Sequence, residues 1–431
     1  MKRFLEITDV LARQILDSRG NPTVEAEVWI EGLIKGRASV PSGASTGIFE
    51  AYEKRDGDKK IYKGKGVMQA VENAKLAIAD VVIGLNALDQ QEVDNAMLKL
   101  DGTKNKSNLG ANAILAVSIA NARAASKAIG LPLYRYLGST SSRIMPVPML
   151  NVLNGGAHSD NNIDIQEFMI MPCGANSFKD ALRWSVEVFH TLKSILREGG
   201  YSTAVGDEGG FAPNLNDDED AIKYILKAID RAGFIAGKDF MIAIDAACSE
   251  WVTNDGKYIL PKKKKTFSSD DLVNYWIDLS KKYPIISIED GASQEDRECW
   301  KKLTKALGRN IQLVGDDLFV TNTERIKSGI NDKIANSVLI KPNQIGTVSE
   351  TILAVETAKN AGYTVVISHR SGETEDTFIA DLSVALNAGQ IKIGAPCRGE
   401  RTAKYNRLLR IEQELSTAAE YLGFNAFNNF D

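Results

Sequence analysis

Cysteine is scarce in this chain of 431 residues. No two cysteines form a Cys-x-x-Cys pair, and they lie far apart along the sequence; they are Cys173, Cys248, Cys299 and Cys397. This spacing argues against a disulfide framework and against a cysteine-based zinc site. We expect the thiols to serve as small buried apolar side chains in a reducing compartment.

Long apolar runs are also missing. The longest, residues 111–125, contains Asn112, Asn121 and Arg123, whereas a membrane-spanning helix needs about 20 mainly apolar residues. Acidic side chains interrupt the first nine residues, which are therefore unlike a signal peptide. Together these absences predict a soluble, cytoplasmic protein without a membrane span.

An excess of positive charge is absent as well. The net charge is −4 at pH 7, so the chain lacks the broad basic surface that binds nucleic acid, and we expect no DNA partner. The four consecutive lysines at 262–265 are interpreted as a solvated surface segment. The length suits two or three domains, or a barrel of about 250 residues or more beside a smaller domain.

The N-terminal part has the pattern of an α+β domain. Residues 1–140 begin with three strand-like segments and continue with three segments of helical spacing. The strand-like segments are 10–16, 23–30 and 33–40, and the helical ones are 70–83, 87–100 and 109–129. The last helix is rich in alanine, which predicts close packing against a neighbouring element. The polar stretch 138–143 marks the domain boundary.

The C-terminal part, residues 141–431, alternates short apolar strands with amphipathic helices. One of these helices is expected to begin after Ser268 or Ser269 and to bury an apolar stripe that includes Trp276. Roughly 290 residues of alternating strand and helix suit a TIM-like (β/α)8 barrel. The main alternative is an open doubly wound sheet.

Ionisable residues follow the predicted strands of this part in succession. They are Glu208 after 204–205, Asp245 after 241–244, Glu289 after 285–288, Asp316 after 311–315, Lys341 after 337–340, His369 and Arg370 after 364–368, and Lys392 after 390–391. One such residue would usually just meet solvent, but a whole series with both signs of charge indicates a site. In a barrel, the C-terminal strand ends share one face, where active sites are built.

The alternation of side chains along a strand predicts which way these residues point. Ile286 and Ile288 should face the helices, while Glu289 should face the barrel mouth. The same parity is expected in the strands at 241–245 and 390–393. A mouth so crowded with charge would be unstable without ions or a ligand to balance it.

The types of these residues indicate metal-assisted acid–base chemistry. Asp245, Glu289 and Asp316 offer three hard oxygen ligands, which suit magnesium better than zinc. Near a cation and a second amine, Lys341 can have a lowered pKa and act as a base. A divalent ion would also stabilise a developing enediolate. Glu208 is the candidate general acid.

Two glycine-rich loops could approach this mouth. Residues 41–47 form a hydroxyl-bearing loop suited to a lid over an anion, and they lack the Gly-Lys-Ser/Thr spacing of a P-loop. Residues 154–158 form the second loop, from which His158 could reach a substrate. Taken alone, either loop is also consistent with an ordinary surface turn.

Several motifs, in order along nearly the whole chain, resemble the enolase family. They are SGASTG at 42–47, DIQEF at 164–168, GDEGGFAP at 206–213, GDDLFVTN at 315–322, KPNQIG at 341–346, SHRSGET at 368–374 and GAPCR at 394–398. The resemblance implies an N-terminal α+β capping domain at 1–140 and a barrel at 141–431. The sequence departs from the family pattern at Ser159, at Cys248 and over 292–298. These departures affect local loop packing and no residue assigned to chemistry.

The resemblance implies a reaction and its metal ions: the reversible, magnesium-dependent dehydration of 2-phosphoglycerate to phosphoenolpyruvate in glycolysis and gluconeogenesis. Asp245, Glu289 and Asp316 would hold one Mg2+, and Ser42 would join a second, so two ions are expected per active site. A homodimer that can assemble into an octamer is also implied. A secondary role in an RNA-degrading complex, or as a plasminogen receptor in a cell-surface or secreted fraction, stays open.

The remaining implied roles concern the proton transfers and the substrate. Lys341 would remove the C2 proton, and Glu208, helped by Glu167, would protonate the departing C3 hydroxyl. Lys392 would neutralise the substrate carboxylate, and Arg370 would hold the phosphate, for which its planar fork is suited. The substrate-binding residues would be Gln166, His158, His369, Arg370, Ser371 and Lys392, together with Ala44 and Ser45 of the lid loop.

Two alternative functions are also considered from the sequence. Another enzyme of the enolase superfamily could abstract a proton beside a carboxylate, although Arg370, Ser371 and the lid loop favour a phosphorylated substrate. A non-catalytic relative, such as a lens-type structural protein, could keep the fold alone. Against that alternative, the sequence retains every implied metal ligand and the implied base.

Overall fold

The computed structural model describes residues 4–43, 47–253 and 255–427. Its N-terminal elements are the strands β1 (Ile7–Leu16), β2 (Pro22–Ile30) and β3 (Ile34–Ser39), then the helices α1 (Met68–Asn73), α2 (Ala79–Val82), α3 (Gln90–Asp101), α4 (Ala111–Ala128) and α5 (Leu133–Leu137). A π-helical segment, Ala74–Ile78, joins α1 to α2. The predicted order, three strands before the helices, is confirmed.

The N-terminal sheet is antiparallel in the order β1-β2-β3, and α4 packs on β2 and β3. Gly36 in β3 makes this contact close. A Cβ added there would lie 2.0 Å from the Ala120 carbonyl oxygen and 2.3 Å from the Ala124 amide nitrogen. The close packing predicted from the small residues of α4 is therefore confirmed.

Gly36→Ala is expected to lower the free energy of unfolding by roughly 1–3 kcal/mol, because a methyl group at this position pushes α4 away from the sheet. Urea unfolding followed by circular dichroism measures the change. Gly399→Ala is the matched control, since a Cβ there meets nothing within 4 Å and alanine is the better helix former. Equal unfolding free energies for the two variants would contradict the close contact.

The C-terminal part contains the barrel. Its strands are β4 (Ile144–Met145), β5 (Val147–Asn154), β6 (Glu167–Met171), β7 (Met241–Asp245), β8 (Tyr258–Ile259), β9 (Thr266–Phe267), β10 (Ile285–Glu289), β11 (Gln312–Gly315), β12 (Ser337–Ile340), β13 (Thr364–Ser368), β14 (Gly389–Lys392) and β15 (Glu420–Tyr421). Its helices are α6 (Phe178–Glu198), α7 (Asp218–Arg231), α8 (Ser269–Lys282), α9 (Arg297–Leu307), α10 (Thr323–Asp332), α11 (Pro342–Ile345), α12 (Val348–Asn360), α13 (Phe378–Ala385) and α14 (Gly399–Leu415).

Eight of these strands close into a barrel in the order β10-β11-β12-β13-β14-β5-β6-β7. Closure excludes the open doubly wound sheet, because such a sheet has two free edges. The predicted fold class, an α+β domain followed by a TIM-like barrel, is confirmed.

One barrel strand differs from the regular pattern. β6 pairs antiparallel with both β5 and β7. β5 and β6 were not predicted from the sequence, because Pro148 lies within β5 and no α-helix separates the two in the described chain. It was wrong to assign 204–205 as a barrel strand, since Val205 makes only an isolated bridge to Phe211 among the described residues. Glu208 therefore reaches the site from a loop.

The parity prediction holds at Ile288 and is wrong at Ile286. Ile288 belongs to the main core, whereas Ile286 lies in a separate apolar cluster formed by barrel strands. The register of β10 shifts directly after Ile285, and this irregularity turns Ile286 from the helix side to the interior of the barrel. Glu289 still faces the mouth, where it contacts Lys392.

Helix α8 begins as predicted, with Ser268 as its N-cap and Asp271 completing a capping box. Its buried stripe consists of Leu272, Val273, Trp276 and Leu279. The four cysteines are free thiols, and all but Cys397 are buried, as expected. Within the described ranges, no helix is both long enough and apolar enough to cross a membrane.

Ion pairs connect the two domains. Arg123 on α4 donates to both carboxylate oxygens of Asp376, at 2.6 and 2.7 Å. Asp376 also accepts the Ser39 backbone N–H at 3.0 Å. A second pair joins Lys106 to Glu350 on α12 at 2.7 Å. The capping domain is therefore held on the barrel by charged contacts as well as apolar ones.

Candidate active site

The barrel mouth gathers the residues predicted at the strand ends. They are Asp245 at the end of β7, Glu289 at the end of β10, Asp316 after β11, Lys341 after β12, His369 after β13 and Lys392 at the end of β14. Glu167 is the first residue of β6. Because β6 runs in the opposite direction, Glu167 pairs with Asp245 on the same face of the barrel.

One pocket at this mouth contains about 330 Å³ of empty space, and most of the predicted residues line it. The lining consists of Gly43, His158, Gln166, Glu167, Glu208, Asp245, Asp316, Lys341, Ser368, His369, Arg370, Ser371 and Lys392. Glu289 and Ser42 are buried and lie outside this lining. The predicted lid residues Ala44 and Ser45 fall outside the described residues.

The Lys392 ammonium lies at the centre of a carboxylate cluster. Its Nζ is 2.9 Å from Asp245 Oδ2, 3.0 Å from both Glu289 oxygens and 3.2 Å from Glu167 Oε2. Burial opposes the charge of Lys392, but Asp245, Glu167 and Glu289 together raise its pKa well above the usual value. Lys392 is therefore a fixed cation, suited to neutralising an anion and unsuited to accepting a proton.

Lys341 makes a second charged contact, in which its Nζ donates to Asp316 Oδ2. Burial would lower the pKa of Lys341, but Asp316 raises it, so the lowered pKa expected for this lysine is not found while Asp316 is its partner. Gln344 donates to the other Asp316 oxygen at 2.8 Å. Thr321 donates to Gln344 at 2.8 Å and accepts the Lys341 backbone N–H at 2.9 Å. These bonds close a ring that holds the candidate base in place.

Glu167 and Glu208 are neighbouring carboxyl groups with opposite pKa shifts. Their oxygens and a ring nitrogen of His158 lie within 4.8 Å of one another. Burial and the nearby Glu208 raise the pKa of Glu167 well above the usual value. Burial also opposes ionisation of Glu208, but His369 and His158 hold its pKa well below the usual value. Asn151 donates to Glu208 Oε2 at 3.1 Å. A proton shared by the two groups is therefore favoured on Glu167 over Glu208.

The residues predicted to hold phosphate and a second ion are engaged on the lid side of the pocket. Arg370 donates to the two carboxylate oxygens of Glu50 at 2.8 and 3.2 Å. Ser42 donates to Glu53 at 3.1 Å and accepts from Arg55 at 3.0 Å. A phosphate bound to Arg370 would therefore have to share or replace the Glu50 contact.

The mouth is rich in carboxylates, but among the described residues the three predicted metal ligands do not form one compact group of oxygens. Asp245, Glu289 and Asp316 are all buried. Burial and the neighbouring Asp245 raise the pKa of Glu289 well above the usual value, because a further negative charge in this buried cluster is unfavourable without another cation. Oxygens of Asp290, Asp316 and Asp317 lie within 4.8 Å of one another. Oxygen ligands of this kind are typical of magnesium and calcium sites.

The four-lysine run is only partly a solvated segment. The backbone N–H groups of Lys262 and Lys263 donate to the Asp164 carboxylate at 2.6 and 3.3 Å. Lys263 Nζ also binds Asp218 at 2.9 Å, and Asp218 accepts the Asp164 backbone N–H at 2.9 Å. The run therefore anchors the segment that leads into β6 and Glu167.

The sequence analysis assigned no role to four residues that contact the site: Asn151, Glu50, Gln344 and Arg401. Gln344 lies within the KPNQIG motif, so the motif itself could have pointed to it. Asn151 belongs to β5, a strand that was not recognised. Glu50 and Arg401 reach Arg370 and His369 only through the fold, and no local pattern marks them.

The fold and the site together define a TIM-like barrel protein with acidic residue clusters at its mouth that could bind a metal. Two family models match the chain: one described as "Enolase, N-terminal domain" matches residues 7–137, and one described as "Enolase, C-terminal TIM barrel domain" matches residues 142–430. The chain belongs to the enolase family. It is therefore a lyase of a metal-dependent family, and its acidic clusters could bind the metal.

Proposed function

We propose that this chain catalyses the reversible dehydration of 2-phosphoglycerate to phosphoenolpyruvate, with Mg2+ as its metal. One observation carries the proposal: the same pocket is lined by Lys341, by the Glu167 and Glu208 pair, and by Arg370. Loss of a C2 proton and a C3 hydroxyl from a phosphorylated acid requires a base, a proton donor and an anion-binding group in one enclosure.

The metal-binding part of the proposal rests on the carboxylates gathered at the mouth. Asp245, Glu289 and Asp316 would hold one magnesium ion, and Ser42 would contribute to a second. When bound, magnesium would polarise the substrate carboxylate, stabilise the enediolate and draw the Asp316 charge away from Lys341.

Lys341 takes the C2 proton onto its Nζ, and for this step the amine must be neutral. Asp316 is the carboxylate that favours the ammonium form, so the base becomes effective once that carboxylate is engaged elsewhere. Thr321 and Gln344 fix the lysine backbone and its carboxylate partner. The direction of the amine is thus set before the substrate arrives, which lowers the entropic cost of the transfer.

The Glu167 and Glu208 pair supplies the proton that leaves with the C3 hydroxyl. The electrons of the broken C2–H bond form the C2–C3 double bond as the C3–O bond breaks, and water departs. Glu208 delivers to the hydroxyl a proton that it first receives from Glu167, its neighbour in the pocket. In the reverse direction the pair takes a proton from water.

The anionic ends of the substrate meet fixed cations. Lys392 faces the carboxylate, and its raised pKa keeps it charged throughout the reaction. Arg370 exchanges its Glu50 contact for the phosphate, with Ser371 beside it. Gln166, His158 and His369 line the remaining wall and contact the substrate between its two anionic ends.

Ultraviolet absorbance of phosphoenolpyruvate formed from 2-phosphoglycerate tests the proposal. Product is expected in the presence of Mg2+, none in excess chelator, and full recovery when Mg2+ is restored. Circular dichroism in chelator checks that the fold persists. If folded, magnesium-loaded protein forms no product, the proposal is wrong, and carboxylic acids without a phosphate become the substrates to examine.

The cellular setting follows from the same reaction. We propose a role in glycolysis and gluconeogenesis in the cytoplasm, and a homodimer that can assemble into an octamer. Each of these stays a prediction that rests on the resemblance to the family.

A further inference from the structure

Arg401 is a fully buried guanidinium that the proposed reaction does not use. It lies in the first turn of α14. Its Nη1 is 2.6 Å from His369 Nδ1 and donates to the Arg370 carbonyl at 2.7 Å. Its Nη2 donates to the carbonyls of Ser371 and Asp207, at 2.6 and 3.0 Å. One side chain thus joins α14 to two loops of the pocket.

The contact with His369 determines where the imidazole carries its proton. A guanidinium donates hydrogen bonds, cannot accept them, and keeps its charge in proteins. His369 Nδ1 must therefore be the acceptor, with its lone pair directed at Arg401. Burial lowers the pKa of His369 to about 3, so the ring is neutral and its single proton is on Nε2.

The protonated nitrogen of His369 faces the carboxyl group that acts in the reaction. Nε2 lies 3.5 Å from Glu208 Oε2, the oxygen that accepts from Asn151 at 3.1 Å. Nε2 makes no hydrogen bond at this distance, but with its proton there it adds a positive N–H dipole to the Asn151 bond, and both favour the ionised carboxylate. With the proton on Nδ1, the Nε2 lone pair would face Glu208 and repel it.

Gly394 allows these groups to approach one another. Its φ is +87°, and an added Cβ would lie 2.6 Å from the Glu208 carbonyl oxygen, 3.1 Å from His369 Cε1 and 3.3 Å from Arg401 Cδ. The backbone at Gly394 therefore occupies the narrow space between all three residues. A side chain at this position would separate them.

We propose that Arg401 is a positioning residue: by donating to His369 Nδ1 it holds the imidazole in its Nε2–H tautomer, and the imidazole in turn orients Glu208 for proton transfer. The assignment of the tautomer is independent of the reaction. The expected effect of Arg401 on catalysis rests on the proposed function, in which Glu208 transfers a proton.

Nitrogen-15 labelling of histidine tests the tautomer directly. The chain has three histidines, His158, His190 and His369, so each ring is resolvable. Long-range proton–nitrogen correlation spectra at mildly alkaline pH distinguish the two neutral tautomers and the imidazolium. The signals lost in His369→Gln identify that ring. It is expected in the Nε2–H form, and a ring in the Nδ1–H or charged form overturns the proposal.

Substitution of Arg401 tests whether this residue determines the tautomer of His369. In Arg401→Met the Nδ1–H tautomer is expected to appear, because the nearby Arg370 carbonyl becomes available to accept that proton. Arg401→Lys keeps a donor and is expected to retain more of the Nε2–H form. The exposed Arg410 on the same helix provides the control, and Arg410→Met should leave the spectrum unchanged. A pure Nε2–H signal in folded Arg401→Met overturns the role of Arg401.

Kinetics separate this proposal from the proposed function. Arg401→Met is expected to lower kcat roughly 10- to 100-fold with a smaller change in KM. In a His369→Gln background, an amide N–H can face Glu208 without help, so the same substitution should have a smaller effect. If Arg401→Met lowers kcat equally in both backgrounds, the proposed action of Arg401 through His369 is overturned. Inactivity of the unmodified protein toward 2-phosphoglycerate, with the Nε2–H form present, overturns the proposed function alone.

Discussion

Lys341→Ala is expected to lower kcat by roughly 10⁴-fold, the upper end of what a general base contributes. The large effect is expected because the other amine of the pocket cannot substitute: Lys392 is surrounded by carboxylates that keep it protonated. Initial rates of phosphoenolpyruvate formation with saturating 2-phosphoglycerate and Mg2+ measure the loss.

The fold should survive this substitution. Asp316 keeps the hydrogen bond from Gln344 at 2.8 Å but loses its ammonium partner, so the thermal unfolding temperature is expected to fall while the protein stays folded at the assay temperature. Calorimetric Mg2+ binding should stay close to that of the unmodified protein. Lys327→Ala is the matched control, since it removes an exposed lysine whose ion pair in the described part of the chain is with Glu324 on its own helix. Unchanged activity in Lys341→Ala would remove this residue from the role of base.

Arg123→Met is expected to lower the free energy of unfolding by about 3–5 kcal/mol, the cost of leaving a buried carboxylate without its partner. Asp376 then keeps the Ser39 backbone N–H but loses both bonds to the guanidinium. Urea unfolding at neutral pH measures the change. Because the pair connects α4 to the barrel, separation of the two domains before global unfolding is an expected signature.

The pH dependence of this effect has a definite sign. Burial opposes ionisation of Asp376, but Arg123 lowers its pKa in the folded protein. The pair therefore contributes stability above the ordinary aspartate pKa of about 3.9, and this contribution is lost as the pH falls through the lower folded value. The difference between Arg123→Met and the unmodified protein should be largest at neutral pH and shrink as the solution becomes acidic.

An exposed pair supplies the comparison for Arg123→Met. Arg183 binds Glu187 at 2.9 Å on the surface of α6, and surface pairs of this kind contribute about 0–1 kcal/mol. Arg183→Met should therefore change the unfolding free energy little. A loss in Arg123→Met no larger than in Arg183→Met would contradict a structural role for the connection between the domains.

The residues at the barrel mouth were predictable because their signal is local. A run such as the one ending in Asp245 shows its buried strand and its terminal carboxylate within a few letters of sequence. Strands of a barrel then bring those ends to one face, so Asp245, Glu289 and Lys392 could be placed together without a structure. The capping box at Ser268 was predictable for the same reason.

The predictions were wrong where pairing with neighbouring strands, rather than the local sequence pattern, determines the orientation of a side chain or the position of a strand. Ile286 turns inward because β10 changes register against β7, and parity within one strand cannot reveal such a shift. Residues 204–205 resemble a strand, but β5 and β6 fill the barrel positions. β5 contains Pro148, and no α-helix separates it from β6 in the described chain, so this pair departs from the usual strand pattern and from strand–helix alternation.

The electrostatics of the site depend on partners that are distant in sequence. Glu50 binds Arg370 across 320 positions of the chain, and the base candidate Lys341 has a raised pKa because of Asp316. Residue type and spacing identify which groups can ionise. The direction in which each pKa moves follows from contacts that only the folded chain forms.

Because β6 runs in the reversed direction, one wall of the pocket is formed by a single continuous segment of the chain. A hairpin joins β5 to β6 across the barrel mouth, so His158, Gln166 and Glu167 are carried on one short stretch of chain. In an all-parallel barrel, such residues would arrive on separate strands, each tied to its own helix. Exchanging this hairpin between relatives would therefore replace a whole wall of the pocket at once, provided that the contacts of Asp164 with Asp218 and Lys262 are kept.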